Sequence, residues 1–174
     1  MTTTKQSAER AEAHLGTTYL IEHIRAGEVI SREEVHNLIP IEGLNHAVSV
    51  IIKQGTQAAG WYIGLFEGNY SPVPGDTAAT FPTAAVECLT YAPATRPVFT
   101  AGSVAGGATD NTASRAEFTF TSAKTIYGAF LVPTATKGGV VGPLLSAARF
   151  ADPKNVAVDD VLRVTSTFHA TSVA

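Results

Sequence analysis

The chain has 174 residues, a formal net charge of −3 at pH 7, 45% hydrophobic residues and only 16% charged ones. That length holds one domain with a real core plus an appendage. The charged share falls below the roughly 25% of ordinary soluble domains, so the surface is short of charge. An acidic balance without a basic stripe excludes a phosphate-backbone binder, and no nucleic-acid partner is expected.

The single Cys88 excludes an intramolecular disulfide framework and a multi-cysteine zinc site. Its setting, Ala85-Val-Glu-Cys-Leu89, suits a small structural residue. Met1-Thr-Thr-Thr-Lys-Gln-Ser7 is polar, with no apolar stretch of the signal-peptide kind. No run reaches about 18 apolar residues, so no membrane span is expected and synthesis in a cytoplasm is.

Residues 1–30 read as an N-terminal arm. Ser7–His14 is rich in Ala and Glu and favours helix. Gly16 and Thr17-Thr18 interrupt it, and Tyr19, Leu20, Ile21 and Ile24 form a short apolar patch. Deleting residues 1–25 is expected to leave the β-domain folded. Residues 31–55 read as a helical segment packed on that domain. Ser31-Arg-Glu-Glu34 has the spacing of a capping box and predicts a short helix over 32–38, stopping before Pro40. A second helix, Glu42–Lys53, carries Leu44, Ala47, Val48 and Ile51 on one stripe, with Gly55 as its stop.

Residues 56–174 read as a β-sandwich domain. Gly60-Trp-Tyr-Ile-Gly-Leu-Phe66 is the densest apolar run and predicts the central strand. Trp61, Ile63 and Leu65 alternate with Tyr62, Gly64 and Phe66, so both faces are apolar. Ser71–Asp76 is a loop, and 78–91 is a short helix or irregular covering chain. Arg96–Phe99 is a short edge strand, because prolines exclude it from a sheet centre. Residues 102–114 and 133–142 are Gly-rich loops. Ala116–Thr121 alternates, Thr125–Val132 is apolar on both faces, and Ser122-Ala-Lys124 has the length of a hairpin turn between them. Leu144–Phe150 and Val161–Ala170 are the last strands, with Asp159-Asp160 turning into the second. Short strands without crossover helices predict a mainly β, antiparallel sandwich. The expected core is Trp61, Ile63, Leu65, Phe118, Phe120, Ile126, Phe130, Leu162, Val164 and Phe168.

Chemistry is harder to find. His14, His23, His36, His46 and His169 contain no zinc-helix spacing. Gly102-Ser-Val-Ala-Gly-Gly107 lacks the Lys-Ser/Thr of a phosphate loop. Asp110, Asp159 and Asp160 are more simply turn residues than calcium ligands. Glu67 and Glu117 could form a glycosidase pair, but Glu117 on an alternating strand is most simply solvent-facing. Tyr62, Phe66, Tyr70, Tyr91 and Tyr127 could form a glycan platform, yet most sit inside apolar runs and read as packing. The residues therefore nominate no catalytic, cofactor-binding or metal site, and no cofactor.

Ile41-Glu-Gly-Leu-Asn-His46, followed by Trp61-Tyr-Ile-Gly-Leu-Phe-Glu-Gly-Asn-Tyr-Ser-Pro-Val-Pro74, resembles the small virion structural proteins of tailed bacteriophages. Asp159-Asp-Val-Leu-Arg-Val-Thr-Ser-Thr-Phe168 resembles their closing strand, with Asp159 where a Gly is usual. The resemblance covers residues 35–170. It implies a jelly-roll-like capsid cement or decoration protein, not an enzyme, located on the virion. Its implied partners are the major capsid protein and copies of itself, as a homotrimer, contacted through the arm and the loops 102–114 and 133–142. The alternative within the same class is a tail, baseplate or head-fibre component. A host-glycan-binding module is the alternative of a different class.

Overall fold

The computed structural model describes residues 12–173. It is an antiparallel β-sandwich. The first sheet contains β1 (Glu12–Arg25), β2 (Glu28–His36), β5 (Ala108–Asp110), β6 (Ala116–Thr119) and β9 (Val161–Val173). Its order is β2-β1-β9, and β5 and β6 share the other edge of β9. The second sheet contains β3 (Trp61–Phe66), β4 (Val98–Phe99), β7 (Lys124–Val132) and β8 (Ser146–Val156), in the order β4-β3-β7-β8. Two helices lie outside the sheets, α1 (Ile41–Ile52) and the single turn α2 (Phe81–Ala84).

The main core forms where alternation turns one face of each sheet inward. Tyr19 and Ile21 of β1, Phe118 of β6, and Leu162 and Val164 of β9 meet Ile63 and Leu65 of β3 and Ala129 and Leu131 of β7. A register shift between Ile126 and Gly128 brings Ile126 to the same inner face as Ala129 and Leu131. Of the ten expected core residues, Trp61 and Phe168 are only half-buried, at one end of the sandwich; the others are buried. The Tyr19 hydroxyl and Ser146 Oγ hydrogen-bond across the sheets at 2.6 Å, and burial pushes the Tyr19 phenol pKa up.

The outer face of the second sheet has its own core. Phe66, Phe130 and Val132 are buried beneath Ala78, Phe81 and Ala85. Phe81 meets the Phe66 and Phe130 rings edge-on, at centroid distances of 5.6 and 5.3 Å. Those rings fit because each lies over a glycine on the neighbouring strand: Gly64 pairs with Phe130 and Gly128 with Phe66. A Cβ on Gly64 would come within 2.2 Å of the Phe130 ring. The outward side chains Phe66, Phe130 and Val132 are therefore covered.

Further expectations give way. The arm over 1–30 is, from Glu12 onward, a strand and the start of a hairpin; the predicted helix over Ser7–His14 lies partly outside the described residues. β1 pairs with β9 over thirteen residue pairs, so deleting residues 1–25 would remove the middle strand of the first sheet. The predicted helix over 32–38 is β2, and the domain boundaries at 30 and 55 dissolve, because β1 and β2 belong to the sandwich. The alternation Ser31, Glu33, Val35 faces inward, and the Glu33 carboxylate accepts the Ala151 amide at 2.6 Å and pairs with Lys154. Pairing along a whole strand outweighs one local cap. Finally, β6 and β7 lie in different sheets, so residues 120–123 cross the sandwich instead of closing a hairpin.

The turn into β9 is a latch. Asp159 takes the left-handed conformation at φ 67°, where glycine is the easy residue. Asp160 is 3% exposed. Its carboxylate accepts Arg25 Nη2 at 2.6 Å and Nε at 2.9 Å, and the Ala157 amide at 2.8 Å, and it bonds His23 Nε2 at 2.8 Å. Arg25 above all, with the Ala157 amide and His23, outweighs burial and holds the Asp160 carboxyl well below the usual carboxylate range. Because the folded pKa is depressed, the latch contributes fully above the unfolded carboxylate value of about 3.9 and is lost as pH falls below it. Asp160→Asn should cost about 2 kcal/mol at neutral pH. In denaturant titrations the gap between the two proteins should narrow as the pH drops below about 4; a gap independent of pH would assign the loss to packing.

Candidate interaction surface

The described residues present one element that the fold leaves half-used, α1. Pro40 precedes its first turn with extended backbone, and the Ile41 amide bonds the Pro74 carbonyl at 3.0 Å. Glu42 turns inward, its Oε2 accepting the amides of Ala78 and Leu144, each at 2.7 Å. Gly43 lies against the Leu144 and Leu145 carbonyls, where a Cβ would approach to 2.8 and 2.6 Å. At the other end Gln54 takes a left-handed φ of 56°, and the Gly55 amide closes onto the Ser49 carbonyl.

These anchors fix which side faces in. The inward arc is Gly43, His46, Ala47 and Val50, at helical spacing. The sequence stripe Leu44, Ala47, Val48, Ile51 is rotated away from it. Ile41, Leu44, Val48, Ile51 and Ile52 are 56, 40, 55, 70 and 73% exposed. The helix is thus apolar on nearly two sides, and only one has a partner in the fold.

Beneath its C-terminal half the sandwich opens into an apolar mouth of about 360 Å³. Leu15 of β1 and Phe168 of β9 line it from the first sheet, Trp61, Phe99 and Leu131 from the second. His46 stands edge-on to Trp61 at 5.6 Å, and Val104, 77% exposed, closes the rim. Polar groups are few, namely His46, Gln57 and Thr109.

The residues considered for chemistry are dispersed. Glu67 pairs with Lys124 beside the second sheet, and Glu117 pairs with Arg163 on the first, so the two carboxylates are not brought together. Asp110 Oδ1 accepts the Thr112 amide at 2.8 Å, which lowers its pKa. His23 belongs to the Asp160 latch, and His169 packs beneath Gly16. Cys88 is buried, and burial raises its thiol pKa. Phe66 and Tyr91 are buried and Tyr70 packs edge-on to Phe81, so these aromatics serve packing. Among the described residues no group of three or more His, Cys, Asp or Glu side chains is placed to hold a metal ion. No described helix is long and apolar enough to cross a membrane.

The two loops expected to make contacts differ. Residues 102–114 fold back as β5 and a 3₁₀ turn, leaving 102–107 and 112–114 exposed. Residues 133–142 are fastened from below by a buried ion pair. Arg96 Nε and Nη2 donate to the two Glu87 carboxylate oxygens at 2.8 and 2.7 Å. The remaining Arg96 donors reach the Thr134 and Gly139 carbonyls, and the Gly138 amide donates to Glu87. Lys137 Nζ sits 3.7 Å above the Tyr91 ring and donates to the Leu89 and Tyr91 carbonyls. Thr136, Gly138, Val140, Val141 and Gly142 remain exposed, and Val140 and Val141 are the large apolar residues among them.

No protein-family model matches the chain, and no curated protein matches it in sequence.

The loop clamp has a measurable consequence. Glu87→Gln leaves the Arg96 guanidinium buried beside a neutral partner, a change that costs roughly 3–5 kcal/mol. Denaturant unfolding should show that loss, and hydrogen exchange should quicken at Gly138 and Gly139. Unchanged stability would mean that water or a rearranged loop solvates Arg96.

Proposed function

We propose that this chain is a structural protein of a tailed-bacteriophage virion, a decoration protein that binds the major capsid protein and copies of itself and so braces the shell. The resemblance at Ile41–His46 and Trp61–Pro74 names that class. The structural observation that carries the proposal is the apolar face of α1 joined to the apolar mouth. Large contiguous apolar surface marks a contact with another macromolecule. The surrounding charge is low, and the ion pairs at Asp160, Glu87 and Glu33 are committed to holding the fold. The last strand returns to lie beside the first described strand within an antiparallel sandwich, an arrangement that the jelly-roll-like reading accommodates.

Function then resides in surface contact, without a catalytic step. The resemblance favours a trimer and a position on the capsid, with the virion as the location.

The reading is tested with particles that lack the protein. Purified protein added back should bind saturably over the whole shell and raise the temperature at which shells open. Labelling confined to one vertex or to the tail would favour a head-fibre or tail component instead. Absence of binding to any particle, together with retention on a glycan array, would replace the proposal with a host-attachment module.

A further inference from the structure

We infer that the outward face of α1 is a self-association surface, covered by the same face of a second copy of this chain. Ile41, Leu44, Val48 and Ile51 follow one another at intervals of three, four and three residues. That is the spacing of a helix–helix seam, in which side chains from one helix enter the gaps of another. It points to a helical occupant, and α1 is the only described helix longer than one turn.

Charge points to the same occupant. The positions flanking the seam are Asn45, Ala47, Ser49 and Ile52, all neutral. In such pairs the flanking residues set partner choice, and like charges there repel. A neutral flank places no like charges opposite one another when the helix meets its own copy. The nearest ionisable groups do not interfere. Glu42 is turned inward onto two amides, His46 faces Trp61, and Lys53 lies beyond the last turn.

A stable interface engages about 20–30 residues a side. Ile41, Leu44, Asn45, Val48, Ile51 and Ile52 are exposed on α1, and Gln57, Ala101 and Val104 extend the face along the rim of the mouth, so these residues form the apolar centre of such an interface. Residues 1–11 are a poor cover for it, because Met1 is their only large apolar side chain and they carry Lys5, Glu9 and Arg10. This assignment deepens the proposed function by locating its self-contact, and it rests on that reading's claim of self-association without requiring a capsid.

The test uses the purified full chain in the absence of shells. Light scattering should return a mass of two or more chains at micromolar concentration. Val48→Glu with Ile52→Glu should raise the dissociation constant by about tenfold or more. Both side chains are exposed in the single chain, so far-UV circular dichroism and the melting transition of the separated chain should be retained. Val48→Ala, a milder change, should weaken association less. A mass of one chain for the wild type up to about 100 μM, or an unchanged dissociation constant in the folded double variant, would overturn the inference. Protection of α1 amides from hydrogen exchange only after shells are added would also overturn it, and would give the face to a capsid subunit. Shell binding by a monomeric variant separates the two claims, since it would leave the decoration reading standing while the self-contact is lost.

Discussion

The ladder between β1 and β9 is the constraint on which the rest of the structure depends. Thirteen residue pairs join the first described strand to the last, and β2, β5 and β6 are all attached to one or the other. A pairing so distant in sequence closes nearly the whole chain into a loop, and its entropy must be recovered by burial. The recovery is visible. Tyr19 and Ile21 enter the main core, and the Tyr19 hydroxyl reaches Ser146 on the opposite sheet. Asp160 then fixes one end by holding Arg25 and His23 to the turn before β9. At the other end the ribbon continues to Glu12 and Val173, beyond the point where β2 stops at Thr18. The apolar mouth lies at this end.

How much of this was legible in the sequence depends on whether the governing contact was local. The strands at 61–66, 116–119, 124–132 and 161–173 announce themselves through alternation or dense apolar runs, and the β-sandwich class follows from them. α1 is legible from its spacing and from its flanking Pro40 and Gly55. The partnership of β1 with β9 is not legible, because nothing in Thr17-Thr-Tyr-Leu-Ile-Glu-His23 names Leu162–Phe168 at the far end of the chain as its partner. The alternation of Thr17, Tyr19, Ile21 and His23 is present, but the Ala- and Glu-rich approach at Ser7–His14 hides it. Ser31–Glu34 misleads for a related reason. Its capping spacing is real, yet Glu33 is used across strands by Ala151 and Lys154. Neither the Arg96–Glu87 clamp nor the Asp160 latch can be read from spacing, since each depends on where loops return.

The same distinction governs the candidate surface. An apolar stripe on α1 predicts burial, and the usual occupant would be the domain itself. Gly43 and Glu42 instead turn a neighbouring arc inward, leaving Ile41, Leu44, Val48 and Ile51 outside. A helix that kept its apolar side outward for no partner would lower solubility without stabilising the fold. The loop at 133–142 is fastened through Arg96 and Glu87, and its exposed large apolar residues are Val140 and Val141. The largest group of exposed apolar side chains, the five on α1, thus lies at one end of the sandwich.

The proposed virion role is tested most directly by reconstruction of a purified particle at a resolution that traces this chain. The protein should lie on the outer shell with adjacent copies meeting through α1, Val48 and Ile51 buried between them. Copies on the shell with α1 open to solvent, or a particle shell without this protein, would contradict that arrangement.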